Sequence, residues 1–163
     1  MINIRKYNKE DLEVLVNLWF GVSLKAHDFI SKEYWRAQKS AMKEKYLPLS
    51  DTYIIEDSQN IFGFISMVDT YLAAIFIDNN SQGRGYGKNL LQYVKGQKQH
   101  IELKVYKKNE ASCEFYLKNG FMVMEETLDE ATGEKEYLMM WNKEFDNKMN
   151  SNSVMKTTCI NNK

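Results

Sequence analysis

The run Gln82-Gly83-Arg84-Gly85-Tyr86-Gly87-Lys88 is where residue types and spacing point most directly to chemistry. It follows an apolar stretch, Leu72 to Ile77, broken by Asp78-Asn79-Asn80-Ser81. Gly85 then opens a segment with Tyr86, Leu90, Leu91 and Val94 at helical core spacing. A strand, a glycine-rich turn and a helix start together make an anion site. The first N–H groups of a helix have no internal partners, and the helix dipole favours negative charge there. Glycines let the backbone come close to phosphate oxygens. The turn reads as a diphosphate cradle, with Arg84 or Lys88 near enough to add charge.

Two well-known cradles fail on this run. A P-loop needs a glycine where Gln82 stands and a Ser or Thr hydroxyl where Asn89 stands. A Rossmann fingerprint needs its third glycine where Lys88 stands. A nucleotide hydrolase is disfavoured by the missing hydroxyl and by the lack of an evident Mg²⁺ carboxylate. The pattern present is Gln-x-x-Gly-x-Gly on Gln82, Gly85 and Gly87. A second segment follows past a strand: Asn109-Glu110-Ala111-Ser112-Cys113-Glu114-Phe115-Tyr116, closing on Gly120-Phe121.

With both segments in place, the sequence resembles the GNAT superfamily of acetyltransferases, in which the first motif grips the pyrophosphate of acetyl-CoA. The resemblance runs from the first strand to about Trp141. Ala26-His27-Asp28-Phe29-Ile30 and Phe62-Gly63-Phe64 also look like a bacterial subgroup that contains small acetyltransferases and protein-lysine acetyltransferases. It implies direct transfer of an acetyl group from acetyl-CoA, the cosubstrate, to a primary amine: a protein lysine, a protein N-terminus or a small molecule. The alternative is a catalytically silent acetyl-CoA-binding regulatory module, against which an intact Tyr116 argues. No metal is expected.

The resemblance implies roles residue by residue. Phe76 and Ile77 would pair with the pantetheine through their backbone. Gln82, Gly83, Arg84, Gly85, Tyr86, Gly87 and Lys88 would hold the diphosphate. Asn109 would contact the CoA arm or orient its helix, a plain N-cap being the alternative reading, and Ser112 would join the cofactor contacts. Tyr116 would protonate the departing thiolate as general acid. A lysine-type amine has a pKa of about 10.4 and must lose a proton before it attacks. His27 and Asp28 lie where the family builds its acceptor site. They stand either as base or acceptor contact, or as a cap and brace for the loop. Asp69 and Glu102 are weaker candidates, and His100 reads as structural. Cys113 has no histidine partner in any motif and reads as a small buried hydrophobe. Trp19 and Trp35 fall at core spacing and could also floor the acceptor pocket.

These side chains need a scaffold. Ile2 to Arg5 alternates as a strand, and Asn8 with Asp11 forms a capping-box signal. Leu12, Leu15, Val16, Trp19 and Val22 share a helical face. Ser31 starts a second, charge-rich helix to about Tyr46, which Pro48 should stop. Thr52–Glu56 and Ile61–Asp69 read as a hairpin, and Leu72–Ile77 as a strand buried on both faces. Ile101–Val105 alternates, Asn109–Lys118 is a helix closed by Asn119-Gly120, and a last hairpin turns at Thr132-Gly133. The expected fold is α/β: a GNAT-type mixed, mostly antiparallel sheet of about seven strands flanked by about four helices, splayed between strands 4 and 5.

The chain has 163 residues and 44% hydrophobic content, enough for one domain with a real core. Residues 1–145 form that domain in this reading. Residues 146–163, rich in Asn, Ser and Lys without a period, read as a disordered tail. Formal net charge is zero, so nothing points to nucleic acid. No apolar run reaches the ~20 residues of a membrane span. Two cysteines and no leader-like start suggest a reduced, cytoplasmic protein. The last hairpin, Tyr137 to Trp141, is apolar enough to be core or a dimer edge, so monomer and homodimer both stay open.

Overall fold

The structure is a computed structural model that describes residues 1–151. Strand β1 (Asn3–Lys6) leads to helix α1 (Leu12–Ala26) and helix α2 (Lys32–Ala41). Strands β2 (Asp51–Glu56), β3 (Ile61–Val68) and β4 (Tyr71–Ile77) follow as an antiparallel run. Helix α4 (Tyr86–Lys95), strand β5 (His100–Tyr106), helix α5 (Glu110–Lys118) and strands β6 (Met122–Asp129) and β7 (Glu134–Asn142) complete the unit. The short α3 (Leu47–Leu49) precedes β2. The seven strands lie in the order β1-β2-β3-β4-β5-β7-β6. The expected mixed, mostly antiparallel sheet is present, with β4 and β5 its parallel neighbours.

Adjacent residues of one strand feed two cores, as the two-residue period of a strand demands. Ile55 and Ile65 join α4 and α5 on one face. Ile54 and Phe64 join α1 and α2 on the other. The N-terminus is fastened by Arg5, whose guanidinium reaches Asp11 at 2.9 Å and Glu56 at 2.7 Å. Asp11 in turn accepts from the Asn8 N–H at 2.6 Å, as its spacing predicts.

Two expectations change, and one open alternative is decided. Pro48 does not stop the second helix. The chain passes through a wide π-type turn (Met42–Tyr46) into α3, with Pro48 in its first turn. The wider turn relieves the clash of a proline ring with the preceding turn's carbonyl. The strand Leu72–Ile77 is not buried on both faces: Leu72 is buried, Ala73 is exposed and the rest are half-buried. Central β3 is the doubly buried strand, from Phe62 to Met67. Finally, β7 lies inside the sheet, so Met139 and Trp141 are core and β6 forms the edge. The α5 crossover still joins parallel strands, with β7 inserted between them.

The folded unit also runs past 145. Residues 143–151 are helical, and Asp146 accepts from the Trp141 indole N–H at 2.9 Å. The rest of the segment read as a tail, 152–163, lies outside the described residues. Among the described residues no helix is long and apolar enough to cross a membrane.

Candidate active site

β4 and β5 touch at one end only. Tyr71 is paired with Glu102, and the Glu102 N–H donates to the Thr70 carbonyl at 3.0 Å. Beyond that point the strands part, as the splayed sheet requires. The gap is a cleft of about 1210 Å³. Its wall explains the half-buried β4: the strand's free edge faces the gap instead of a neighbour. A register shift opposite Ser66 and Met67 leaves Ala73 without a partner in β3. This bulge turns Leu72 into one core while Ala74 and Phe76 pack toward the other.

One end of the cleft is the glycine turn. Ser81, Gln82, Gly83, Gly85, Gly87 and Lys88 border it. Gly83 and Gly85 have φ of 81° and 84°, a region that side chains disfavour. Gly85 caps α4 in the left-handed conformation, so the free N–H groups of the helix start face this end. A Cβ at Gly87 would stand 3.4 Å from the Phe115 ring of α5 and 3.7 Å from Ile77 Cγ1, ordinary contact distances. Gln82 braces the turn: its Nε2 donates to the Ile77 carbonyl at 3.1 Å. That bond occupies one of the β4 carbonyls expected to face pantetheine. Tyr86 stacks on Phe62 with centroids 4.6 Å apart. Arg84 is exposed and does not border the cleft, whereas Lys88 does.

The far wall comes from α5. Asn109 caps it, its Oδ1 accepting from the Ser112 N–H at 3.3 Å. Ser112, Phe115 and Tyr116 border the cleft. Tyr116 is 7% exposed, and burial pushes its phenol well above the ordinary value. It is a protonated donor at any working pH. Cys113 is buried, its thiol pushed up by burial, and it does not border the cleft.

The other end is aromatic. His27 packs against Trp35 and Tyr106, each at 5.2 Å, and against Phe29 at 5.9 Å. Burial lowers its pKa to about 4. Asp28 does not border the cleft, so the sequence pair is split. Asp69 lies in the β3–β4 connection at φ 53°, His100 is exposed, and neither they nor Glu102 border the cleft. Trp19 and Trp35 are both core and cleft wall.

Sequence reasoning missed Tyr34, Tyr71, Tyr106 and Glu136, which also face this end. Tyr106 donates to Asp129 Oδ2 at 2.7 Å, and Glu136 is its cross-strand partner. The alternation of β5 put Tyr106 opposite the core-facing Val105, a usable signal. Nothing local announced that β7 would bring Glu136 beside it.

Comparison with known proteins agrees with this geometry. The family model described as "Acetyltransferase (GNAT) domain" matches residues 48–123. The peptidyl-lysine N-acetyltransferase YiaC of Escherichia coli K12 is 30% identical over 139 residues, covering 85% of this chain and 95% of its own. The solution structure of apo YjaB from Escherichia coli superposes with TM-score 0.77 at 25% identity, covering 86% of this chain and 97% of that one. The PaiA N-acetyltransferase of Thermoplasma acidophilum, solved with coenzyme A, has the same fold (TM-score 0.73, 24% identity, 87% and 99% covered).

Proposed function

Since the chain belongs to the GNAT acetyltransferase family, and is on that footing an acetyl-CoA-dependent N-acetyltransferase, we propose that its acceptor is the lysine side chain of proteins. The observation that carries this is the two-ended cleft between β4 and β5: a glycine turn with Lys88 at one end, an aromatic wall with a carboxylate at the other. Relatives named as peptidyl-lysine acetyltransferases support the choice of acceptor.

Acetyl-CoA suits the cleft by the chemistry of its lining. It supplies a thioester already activated for attack by an amine. In this reading the turn from Gln82 to Lys88 holds the diphosphate through backbone N–H groups and the Lys88 cation. Arg84 stays outside that set. Phe76 and Ile77 flank the pantetheine, and the bulge at Ala73 frees backbone from its ladder beside the gap. Tyr116 supplies the proton for the departing sulfur. Asn109 and Ser112 shape the start of α5.

The test is incubation of the full chain with acetyl-CoA and a set of lysine peptides, N-terminal amines and small amines. Thiol release and mass spectrometry are the readouts. Acetylation confined to lysine ε-amines is the expected result. Turnover only on small amines would replace the acceptor assignment, and acetyl-CoA binding without turnover on any amine would revive the regulatory module.

A further inference from the structure

The proton acceptor is the unfilled role in this site. His27 does not suit it. Burial holds it near pKa 4, about six units below an alkylammonium, and its Nε2 faces the Asn109 amide at 3.2 Å. Asp28 is off the cleft. The described residues hold one carboxylate on the cleft wall, Glu136.

We propose that Glu136 takes the proton from the acceptor's ammonium group and, with Tyr34, Tyr71 and Tyr106, selects a cationic alkylamine. This rests on the acetyltransferase reading and deepens its acceptor assignment.

Placement comes from the sheet. Ile101, Leu103 and Val105 of β5 are buried in the core beneath α4 and α5. The intervening Lys104 and Tyr106 therefore face the other way, toward α1 and α2. Glu136 pairs with Tyr106 across the β5–β7 ladder, so it shares that face. It is half-buried, and among the described residues it makes no ion pair within 4 Å. Asp11, Glu13, Glu56, Glu126 and Glu134, by contrast, each hold a cation. An unclaimed carboxylate against aromatic walls is an incomplete ion pair, and a substrate ammonium completes it. Ring faces add attraction for the same cation.

The surrounding charges tune the group in the useful direction. Burial first, and then Asp129, beside β7 at the end of β6, raise the Glu136 carboxyl above its ordinary range, while Lys104 of β5 opposes them. Burial raises the phenols of Tyr34 of α2 and Tyr71 of β4, and the Glu136 charge adds to it in both. Tyr106, bonded to Asp129, is likewise raised. A carboxylate with raised proton affinity is a stronger base than a free one.

The proton balance closes with Tyr116. The ammonium gives one proton to Glu136. The freed nitrogen lone pair bonds to the thioester carbonyl carbon, and the C–S bond breaks with its pair on sulfur. Sulfur takes the Tyr116 hydroxyl proton, and the nitrogen's second surplus proton restores that phenol. The products are the acetamide, the CoA thiol and the proton that Glu136 passes to solvent.

The experiment compares full-length wild type, Glu136→Gln and Glu136→Asp on paired acceptors. One is a lysine peptide; the other carries a fluorinated lysine whose amine is largely neutral at pH 7. For Glu136→Gln, kcat/KM on lysine should fall about 100-fold at pH 7 and recover about tenfold per pH unit as neutral amine accumulates. The fluorinated peptide should lose less than tenfold. Glu136→Asp should keep part of the lysine rate, and acetyl-CoA Kd by calorimetry should hold for both variants, which checks the fold. Equal losses on both acceptors, or no loss on lysine, overturn the proposal. If wild type turns over only small amines, the peptidyl-lysine reading falls, and the same comparison on those amines and their fluorinated forms still decides the role of Glu136.

Discussion

His27 and Asn109, 82 residues apart, are joined side chain to side chain at 3.2 Å. Asn109 Oδ1 is already taken by the Ser112 N–H, so its amide nitrogen faces the ring and donates to His27 Nε2. The imidazole is then neutral, with its proton on Nδ1, which is buried without a protein partner. One bond thus ties the loop after α1 to the cap of α5, on opposite sides of the cleft.

A pH-dependent stability follows. The folded pKa of His27, about 4, lies below the unfolded value of about 6.5. Above pH 6.5 both states are neutral and nothing changes. Between 6.5 and 4 the unfolded state binds the proton and the folded state resists it, so stability falls as pH falls through that window. The full loss is of order 3 kcal/mol. Urea unfolding at pH 7.5 and pH 4.5 should show it in wild type and not in His27→Gln. Parallel curves for the two proteins would mean that His27 protonates freely in the fold.

Tyr116→Phe should keep acetyl-CoA affinity within about twofold and lower kcat by about 10²-fold, the usual scale for a positioned acid. The buried phenol is raised in pKa, so no alkaline limb of the wild-type pH profile should trace to it. Unchanged kcat would assign Tyr116 to the core alone.

The glycine turn separates two kinds of constraint. Gly85→Ala meets no atom within 4 Å but must hold φ 84°. It should cost about 1 kcal/mol in stability and weaken acetyl-CoA binding, because the left-handed conformation is strained for alanine. Gly87→Ala has ordinary φ and meets the Phe115 ring at 3.4 Å and Ile77 Cγ1 at 3.7 Å, the range of ordinary contact. A small shift of that ring suffices, and the variant should stay near wild type. Calorimetric Kd values for the pair check the contrast. Equal effects would show that shape, not φ, limits the turn.

The glycine turn at one end of the cleft was legible in sequence because it is local: Gln82, Gly85, Gly87 and the helix that follows lie within a few residues of one another. Asn109 and Tyr116 were legible for the same reason. The aromatic end of the cleft was not, because it is assembled from α2, β4, β5 and β7, and the order β5-β7-β6 that brings Glu136 beside Tyr106 is a long-range choice. Composition also misled on Leu72–Ile77. An apolar strand facing a gap for a ligand has the same residues as one facing a second core. Arg84 has the charge the motif suggests but is exposed and off the cleft wall, and side-chain direction in a tight turn is not written in spacing.

Gly63→Ala gives a test by sign. Gly63 pairs with Ile77 across β3 and β4, and a Cβ there would lie 2.5 Å from the Phe76 carbonyl oxygen and 2.5 Å from Ile77 Cδ1. The Ile77 methyl can turn away. The carbonyl cannot move without shifting β4, whose Phe76 and Ile77 border the cleft. Glycine within a strand is ordinarily the weaker choice, so alanine in open space would stabilise by about 0.5–1 kcal/mol. Overpacking against backbone instead costs about 1–3 kcal/mol, which for a chain of this size lowers Tm by several degrees. The expected result is a lower Tm with a weaker acetyl-CoA Kd, since the displaced strand is the cleft wall. A higher Tm with an unchanged Kd would show that β3 and β4 have room to separate there, and that the close approach at Gly63 does not hold the wall in place.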